Sequence, residues 1–247
     1  MVSTQHSSGH KRTLNVQEDK GMSVLDQIPD EKVRAVLRRL HGEAGHETGR
    51  LLWKYLPHYL KLISGRKLPW DRLQHQHDRD YLASPPGHGM YLYLLARAID
   101  ARRIVEFGTS FGVSTIYLAL AVRDNGGGLV IGTEMVPSKA AVARGNIEEA
   151  GLGGFVEILE GNALETLRDL ERPVDFLLSD GFPQYALPVL ELVAPKLRRG
   201  AIVVNHNAAA MKADHAEYVA FVRDPSNGFV SSSVILAGEL SVRVAML

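Results

Sequence analysis

The stretch that decides the fold is IVEFGTSFGVST, residues 104–115. It begins with β-forming residues around the acid Glu106, and two glycines, Gly108 and Gly112, then mark a turn. The apolar run VSTIYLALAV that follows is typical of a buried helix. This order predicts a strand, a glycine-rich turn and a helix, the first βα unit of an α/β sheet.

From residue 102 to residue 206, apolar β-rich runs alternate with helical runs. The strand-like runs are RRIVEFG, GLVIGTE, FVEILEG, VDFLLSD and GAIVVNH. They are nearly all apolar, as in a parallel sheet that helices cover on both faces. The closing segment GFVSSSVILAGELSVRVAML holds two strand runs separated by Ala237 and Gly238, which predicts an antiparallel hairpin. We therefore expect an α/β, Rossmann-like, doubly wound sheet with this hairpin at one end.

The N-terminal third differs in composition. Residues 1–22 are polar without periodicity, which predicts a disordered tail. Two helical runs, from Asp30 and near Leu51–Ile63, predict that residues 23–80 form a helical lid or oligomerisation arm, and hence a possible homodimer. The breaker cluster Ser84–Gly87 precedes the helix that leads into the core, so residues 81–247 are expected to form the main domain.

Charge and composition narrow the function. With 45% apolar and 23% charged residues, the chain matches an ordinary globular protein. The 28 basic and 28 acidic side chains cancel, which favours a small ligand over nucleic acid or an anionic membrane. There is no cysteine, and no run approaches the roughly 18 to 20 apolar residues of a membrane span. We expect a cytoplasmic protein.

Polar residues end each of the five predicted strands. They are Glu106–Gly108, Thr133–Glu134, Gly161–Asn162, Ser179–Asp180 and Asn205–Asn207. Ligands of such sheets bind beyond the carboxyl ends of the strands, near the switch in strand order. Each of these residues alone would be an ordinary loop residue, but together they indicate a binding site.

The first turn distinguishes two kinds of ligand. In the dinucleotide fingerprint the turn seats a pyrophosphate, which the acid Glu106 would repel, and Ser110 stands where that fingerprint has its middle glycine. A ligand with a sulfonium, an amine and a carboxylate, such as S-adenosylmethionine, fits better. Glu106 would favour its positive end directly or through water, and Gly112 to Ser114 would bind its carboxylate. Glu134 would hold the ribose. The alternative is a turn with a buried capping Glu106.

The sequence resembles the class I S-adenosylmethionine-dependent methyltransferases, in particular the small-molecule O-methyltransferases of the catechol and caffeoyl-CoA type. The resemblance covers residues 82–247 and rests on VEFGTSFGVST, GTEMVPSKAAVARGNIEEAGL, GNALETL and DFLLSDGFPQYALPVLELVAPKLRRGAIVVNHN together with the closing hairpin. It implies a seven-stranded sheet of order 3-2-1-4-5-7-6, with strand 7 antiparallel. It also implies that Ser84 lies near the methionine part of the cofactor and Phe182 beside the adenine.

The candidate site residues follow from the pattern and the resemblance together. Those expected to bind S-adenosylmethionine are Ser84, Glu106, Gly108, Thr109, Ser110, Gly112, Ser114, Glu134, Met135, Asn162, Ala163, Asp180 and Phe182. Glu239 resembles a family position that contacts the methyl acceptor.

The chain departs from the family where the chemistry takes place. The family pattern has an Asp after strand 4, a base Lys three residues later, and an Asp-Asn pair after strand 5 that completes a Mg²⁺ site. This chain has Asp180, Pro183 and His206–Asn207. Three hypotheses remain open: Asp180, His206 and Asn207 bind a divalent ion such as Mg²⁺, Mn²⁺ or Fe²⁺; His206 is the catalytic base, with Asp180; or these side chains only tie the strand ends together.

The sequence thus predicts an enzyme that methylates a hydroxyl of a small molecule. The alternatives are an N-methyltransferase, a non-catalytic S-adenosylmethionine-binding module, suggested by Pro183, and a nicotinamide-linked oxidoreductase with a similar core. The balanced charge disfavours a nucleic-acid methyltransferase.

Overall fold

The computed structural model describes residues 23–63, 67–73, 80, 83–171, 173–206, 211–235 and 241–246. The predicted tail, residues 1–22, lies outside the described residues, and so do Asn207 and Glu239. Within those described ranges, no helix is long and apolar enough to cross a membrane.

Five parallel strands form the centre of the molecule. They are β1 (Arg103–Phe107), β2 (Leu129–Glu134), β3 (Val156–Glu160), β4 (Val174–Ser179) and β5 (Leu197–Asn205). They lie in the order β3-β2-β1-β4-β5. The predicted α/β, Rossmann-like class is therefore confirmed. Because the order reverses between β1 and β4, the loops after these strands diverge and leave a crevice between them.

Helices cover both faces of the sheet. They are α1 (Glu31–Ile63), α2 (Trp70–Leu73), α3 (Pro86–Ala98), α4 (Val113–Asp124), α5 (Pro137–Glu149), α6 (Ala163–Thr166), α7 (Pro183–Val193) and α8 (Ala216–Arg223). Alternate residues of a strand face opposite sides. Ile104 accordingly packs in one core with α1, α3, α4 and α5. Val105 packs in a second core with α7 and α8.

The last two strands extend the sheet past β5. Strand β7 (Ser241–Met246) pairs antiparallel with both β5 and β6 (Val230–Ile235), which gives the order β3-β2-β1-β4-β5-β7-β6. The turn predicted at Ala237 and Gly238 falls within residues 236–240, which lie outside the described residues.

The N-terminal segment also differs from the prediction. One helix of 33 residues, α1, stands where two helical runs were predicted. Its first turns bury Val33, Leu37 and Leu40 in the core shared with α4 and α5. Arg39 donates hydrogen bonds to Asn146 and Glu149 of α5. The first third of α1 is therefore packed onto the sheet domain.

Candidate active site

The loops after β1, β2, β4 and β5 are tied to one another by their backbones. The amide of Thr109 donates to the carbonyl of Thr133 at 3.0 Å, and that of Asp180 donates to the carbonyl of Phe107 at 2.9 Å. The amide of His206 donates to the carbonyl of Ser179 at 3.1 Å. The structure thus brings the predicted residues of these four loops to one edge of the sheet.

Glycine is required in the turn after β1. Gly108 has φ +96°, and a Cβ atom there would lie 2.8 Å from the Cα of Gly181 in the loop after β4. Gly112, with φ +85°, is the N-cap of α4. A side chain would disfavour both conformations, and at position 108 it would also push the two loops apart. Gly108 therefore keeps the β1 and β4 loops in contact at the base of the crevice.

Glu106 is fully buried beneath this turn. Its Oε1 accepts a hydrogen bond of 2.6 Å from the Ser114 hydroxyl, and its Oε2 accepts from the hydroxyls of Thr109 and Thr115 at 3.0 and 2.5 Å. Burial raises the pKa of Glu106 to about 7; the three hydroxyls oppose this increase, and the negative charge of Asp180 adds to it.

These contacts differ from the predicted roles of Glu106 and Ser114. Neither side chain is turned toward open space, because each is the other's hydrogen-bond partner. Glu106 therefore has the contacts of a buried acid that caps the turn, which was the alternative prediction. It could act on a ligand in the crevice only through its charge. The hydroxyl of Ser114 supports Glu106, so the backbone N–H groups at the start of α4 are what this turn offers to a ligand carboxylate.

Glu134, at the end of β2, links two loops. Its Oε2 accepts a hydrogen bond of 2.8 Å from the amide of Ser110, and its Oε1 accepts one of 2.9 Å from the amide of Val136. The carboxylate is thereby fixed beside the glycine turn. Ser110 has φ +50°, and its buried hydroxyl has no hydrogen-bond partner among the described residues. A buried hydroxyl beside a fixed carboxylate fits a polar ligand such as the ribose and amino acid of S-adenosylmethionine.

The remaining predicted cofactor residues follow the ends of β2, β3 and β4. Met135 is 42% exposed directly after Glu134, whereas Ala163 is buried. Asn162 caps α6, its side-chain oxygen accepting from the amide of Leu164. Phe182 packs against Trp70, with ring centroids 6.1 Å apart.

Residues 67–73, which include helix α2, contact the loops after β4 and β5. Asp214 accepts hydrogen bonds at the same oxygen from the Leu68 amide, at 3.0 Å, and from the Trp70 indole, at 2.9 Å. The side chains of Leu68, Trp70 and Leu73 form an apolar cluster that packs on Phe182 and Met211. Helix α2 therefore lies over the loop after β4. The sequence showed no motif here, because the contacts join residues about 145 positions apart.

Asp180 and His206 form a direct pair. The Nδ1 of His206 lies 2.7 Å from the Oδ1 of Asp180, and the hydroxyl of Ser84 lies 3.5 Å from the Oδ2. The Nε2 of His206 lies 2.8 Å from the Nδ1 of His88 on α3. The three side chains thus form one chain of hydrogen bonds across the ends of β4 and β5. His88 was not predicted; its position four residues after Ser84 was the only signal.

The chemistry of the groups fixes the direction of these bonds. An ionised Asp180 only accepts, so the Nδ1 of His206 carries a proton and donates it. In the neutral ring the Nε2 then accepts, so His88 donates from its own Nδ1. If His206 gains a second proton, its Nε2 donates instead and His88 must accept. The pair can therefore take up one proton while both hydrogen bonds persist.

A divalent ion does not fit the described residues. No group of three or more His, Asp or Glu side chains that could hold a metal occurs in the described part of the chain. Both ring nitrogens of His206 are directed at protein atoms, and the Oδ1 of Asp180 is directed at His206. The third predicted ligand, Asn207, lies outside the described residues. Pro183 is the first residue of α7 and supplies no base.

Comparisons with known proteins agree with this arrangement. Residues 105–208 match the model of a methyltransferase domain family. The chain is 39% identical over 120 residues to a catechol O-methyltransferase of Mycobacterium tuberculosis, covering 48% of this chain and 54% of that protein. A catechol O-methyltransferase of Niastella koreensis is 36% identical over 130 residues, covering 49% and 56%. The chain thus spans about half the length of these curated relatives.

A solved structure shows the same likeness. The O-methyltransferase from Bacillus cereus in complex with S-adenosylhomocysteine (SAH) superposes with a TM-score of 0.60 at 25% identity, covering 67% of this chain and 83% of that one. The fold of this chain is thus similar to that of this O-methyltransferase. The resemblance to S-adenosylmethionine-dependent O-methyltransferases, inferred above from the sequence, is confirmed.

Proposed function

We propose that this chain is an S-adenosylmethionine-dependent methyltransferase that acts on a hydroxyl group of a small molecule. The observation that carries the proposal is the glycine turn at the switch in strand order, flanked by Glu106, Glu134 and Asp180. Glu134 and Asp180, at the ends of β2 and β4, suit a cationic ligand and disfavour a pyrophosphate, and the ionised fraction of the buried Glu106 adds to this effect. The names of the relatives, catechol O-methyltransferases, and the SAH in the Bacillus cereus structure support the same ligand and reaction.

In this proposal each part of the crevice holds one part of the cofactor. Glu134 accepts hydrogen bonds from the ribose hydroxyls, and Ser110 donates its hydroxyl to the same region. The N–H groups that start α4 bind the methionine carboxylate. The residues around the methionine part are Ser84, Gly108, Thr109, Gly112 and Ser114, and those around the adenine are Met135, Asn162, Ala163 and Phe182.

The cofactor supplies a methyl group already activated by its sulfonium. The chain's task is to orient the acceptor and remove its proton. As the oxygen–carbon bond forms and the carbon–sulfur bond breaks, the hydroxyl proton passes to the Asp180–His206 pair. Asp180 is the more accessible member, with a side chain 18% exposed against 8% for His206. We therefore place the first contact of the acceptor hydroxyl at the Oδ2 of Asp180, with His206 holding that carboxylate through a hydrogen bond from its Nδ1.

This route needs no divalent ion and no lysine. A positioned base contributes roughly 10²- to 10⁴-fold in rate, and near-attack geometry contributes further. The pair after β4 and β5 supplies a base where the family's lysine is replaced by Pro183.

The remaining predictions extend this proposal. Residues 1–22 are proposed as a disordered tail, 23–80 as a lid, which the contacts of Trp70 with Asp214 and Phe182 support, and 81–247 as the methyltransferase domain. Glu239 would contact the acceptor. We propose the order 3-2-1-4-5-7-6 for the complete sheet, which the antiparallel pairing of β7 supports. A cytoplasmic homodimer that binds neither nucleic acid nor membrane remains part of the proposal.

The test is transfer of label from methyl-labelled S-adenosylmethionine to a panel of catechols, other phenols, polyols and amines. We expect labelled ether products from hydroxyl acceptors and one SAH per product. Enzyme treated with chelator should turn over as fast as enzyme supplied with Mg²⁺ or Mn²⁺. Label found only in amines, or in no acceptor, would contradict the proposed function. Restoration of activity only by added metal would contradict the metal-free route.

A further inference from the structure

We propose that His88 is a positioning residue for the transfer reaction: it holds the ring of His206 so that the Asp180–His206 pair is aligned to receive the acceptor's proton. This inference rests on the proposed function. The observation behind it is the hydrogen bond of 2.8 Å between the Nδ1 of His88 and the Nε2 of His206, at the end of the ring opposite to Asp180.

The two imidazoles meet in a defined geometry. Their ring centroids are 4.8 Å apart and their planes are inclined by 76°, so the edge of one ring faces the other. His88 is 2% exposed and His206 is 8% exposed. At this burial a hydrogen bond is stronger than in water, and a buried nitrogen without a partner is costly. The contact is therefore strong enough to determine how the ring of His206 lies.

The backbone that carries His88 is itself fixed. Pro86 is the first residue of α3, and the amides of His88 and Gly89 both donate to the carbonyl of Pro85. A Cβ atom at Gly89 would lie 2.1 Å from the ring of Tyr117 on α4, so the two helices are in direct backbone-to-ring contact. Helix α3 cannot slide along α4 without a clash. His88 is thus presented to His206 from a rigid support, as a positioning residue requires.

A second partner matters because one hydrogen bond does not fix an imidazole. With Asp180 alone, the ring of His206 could turn about its Cβ–Cγ bond and tilt away from the carboxylate. A small pocket beside the two histidines is also lined by Tyr91, Leu178 and Val204. A partner at each end of the ring removes that freedom. His88 therefore fixes the orientation of the His206 ring.

The experiment compares two substitutions of His88 with a matched histidine elsewhere. His88→Phe fills the space but cannot donate, whereas His88→Gln can donate from its amide to the Nε2 of His206. The control is His46→Phe, the same substitution at an exposed histidine of α1. We expect His88→Phe to lower kcat by about 10- to 100-fold. The KM for S-adenosylmethionine should change less than kcat, because the hydrogen bond of His88 is made to His206 and not to the glycine turn. His88→Gln should recover most of the lost rate, and His46→Phe should retain the wild-type kcat.

A measurement on the unmodified chain covers the case in which a variant does not fold. Nitrogen-15 NMR of the imidazoles at pH 8, assigned with His88→Gln, should show His88 protonated at Nδ1 and His206 protonated at Nδ1. In His88→Phe, only the Nε2 resonance of His206 should move, toward the value of a nitrogen that accepts no hydrogen bond.

The outcomes separate this inference from the proposed function. A folded His88→Phe enzyme with wild-type kcat, or a His88→Gln enzyme as slow as His88→Phe, would overturn the role of His88 while leaving methyl transfer intact. Wild-type His88 protonated only at Nε2 would do the same. If the wild-type chain transfers no methyl group to any acceptor, the proposed function fails and the role of His88 fails with it.

Discussion

Replacing Glu106 by Gln should change how the stability of the protein depends on pH. The Glu106 carboxyl is fully buried, and its pKa is raised from 4.5 to about 7. Because the folded pKa exceeds the unfolded one, the folded state favours the protonated carboxyl. The stability that Glu106 contributes is therefore complete below pH 4.5 and is lost as the pH rises through 7. At about 1.4 kcal/mol per pH unit, the whole loss is about 3 kcal/mol.

The assay is urea unfolding of wild type and Glu106→Gln between pH 5 and 8.5, followed by circular dichroism. Most of the loss, about 2.5 kcal/mol, falls in this interval. All other titrating groups are shared, so their contributions cancel in the difference between the two proteins. That difference should move by about 2.5 kcal/mol in favour of the variant as the pH rises. The control is Glu148→Gln, the same substitution at an exposed carboxylate of α5, against which the Glu106→Gln difference is compared.

Parallel curves for wild type and Glu106→Gln would refute the reasoning. They would mean that the hydroxyls of Ser114, Thr109 and Thr115 stabilise the ionised carboxylate enough to cancel the cost of burying it. Glu106 would then carry its charge at every pH in the range.

Three further predictions follow from single contacts. Gly89→Ala should destabilise the protein by about 1 to 3 kcal/mol in urea unfolding, because its Cβ would lie 2.1 Å from the Tyr117 ring; an unchanged midpoint would contradict the packing of α3 on α4. Burial alone would raise the pKa of Asp175, but two backbone amides and Arg198 lower it below the unfolded value of 3.8. Asp175→Asn should therefore reduce the free energy of unfolding at pH 7, and the reduction should become smaller as the pH falls below 3.8. An equal reduction at pH 7 and pH 3 would contradict this. Glu134→Gln should weaken SAH binding in calorimetry by about 1 to 3 kcal/mol, and unchanged affinity would remove Glu134 from the ribose site.

The parallel part of the sheet was predictable because its signal is local. Successive side chains of β1 face two different cores, and both cores are apolar. The apolar run around Ile104 and Val105 therefore indicates a strand that is covered on both faces. The glycines after it identify the turn. The polar ends of the five strands then fall on one edge of the sheet by topology alone. For these elements a short window of sequence contains the physical cause.

The contacts within the site were less predictable because they join distant residues. His88 meets His206 across 118 positions, and neither residue type nor spacing indicates that pairing. The acid Glu106 was expected at the crevice, but two of its three hydroxyl partners lie on the first turn of α4, and its carboxylate is directed at them. Helix α1 was predicted as two helices because its polar middle, near Gly42 and Gly45, has no apolar stripe. Cβ atoms added at these two glycines would meet nothing within 4 Å. This part of the helix therefore packs against nothing at these positions, and it has no apolar stripe because it has no core to face.

The most direct test of the central claim is calorimetric titration of the purified chain with SAH and, separately, with NAD. The account predicts saturable binding of one SAH per chain and no measurable binding of NAD, because Glu134 and Asp180, beside the glycine turn, oppose a pyrophosphate. Binding of NAD in preference to SAH, or of neither, would contradict it.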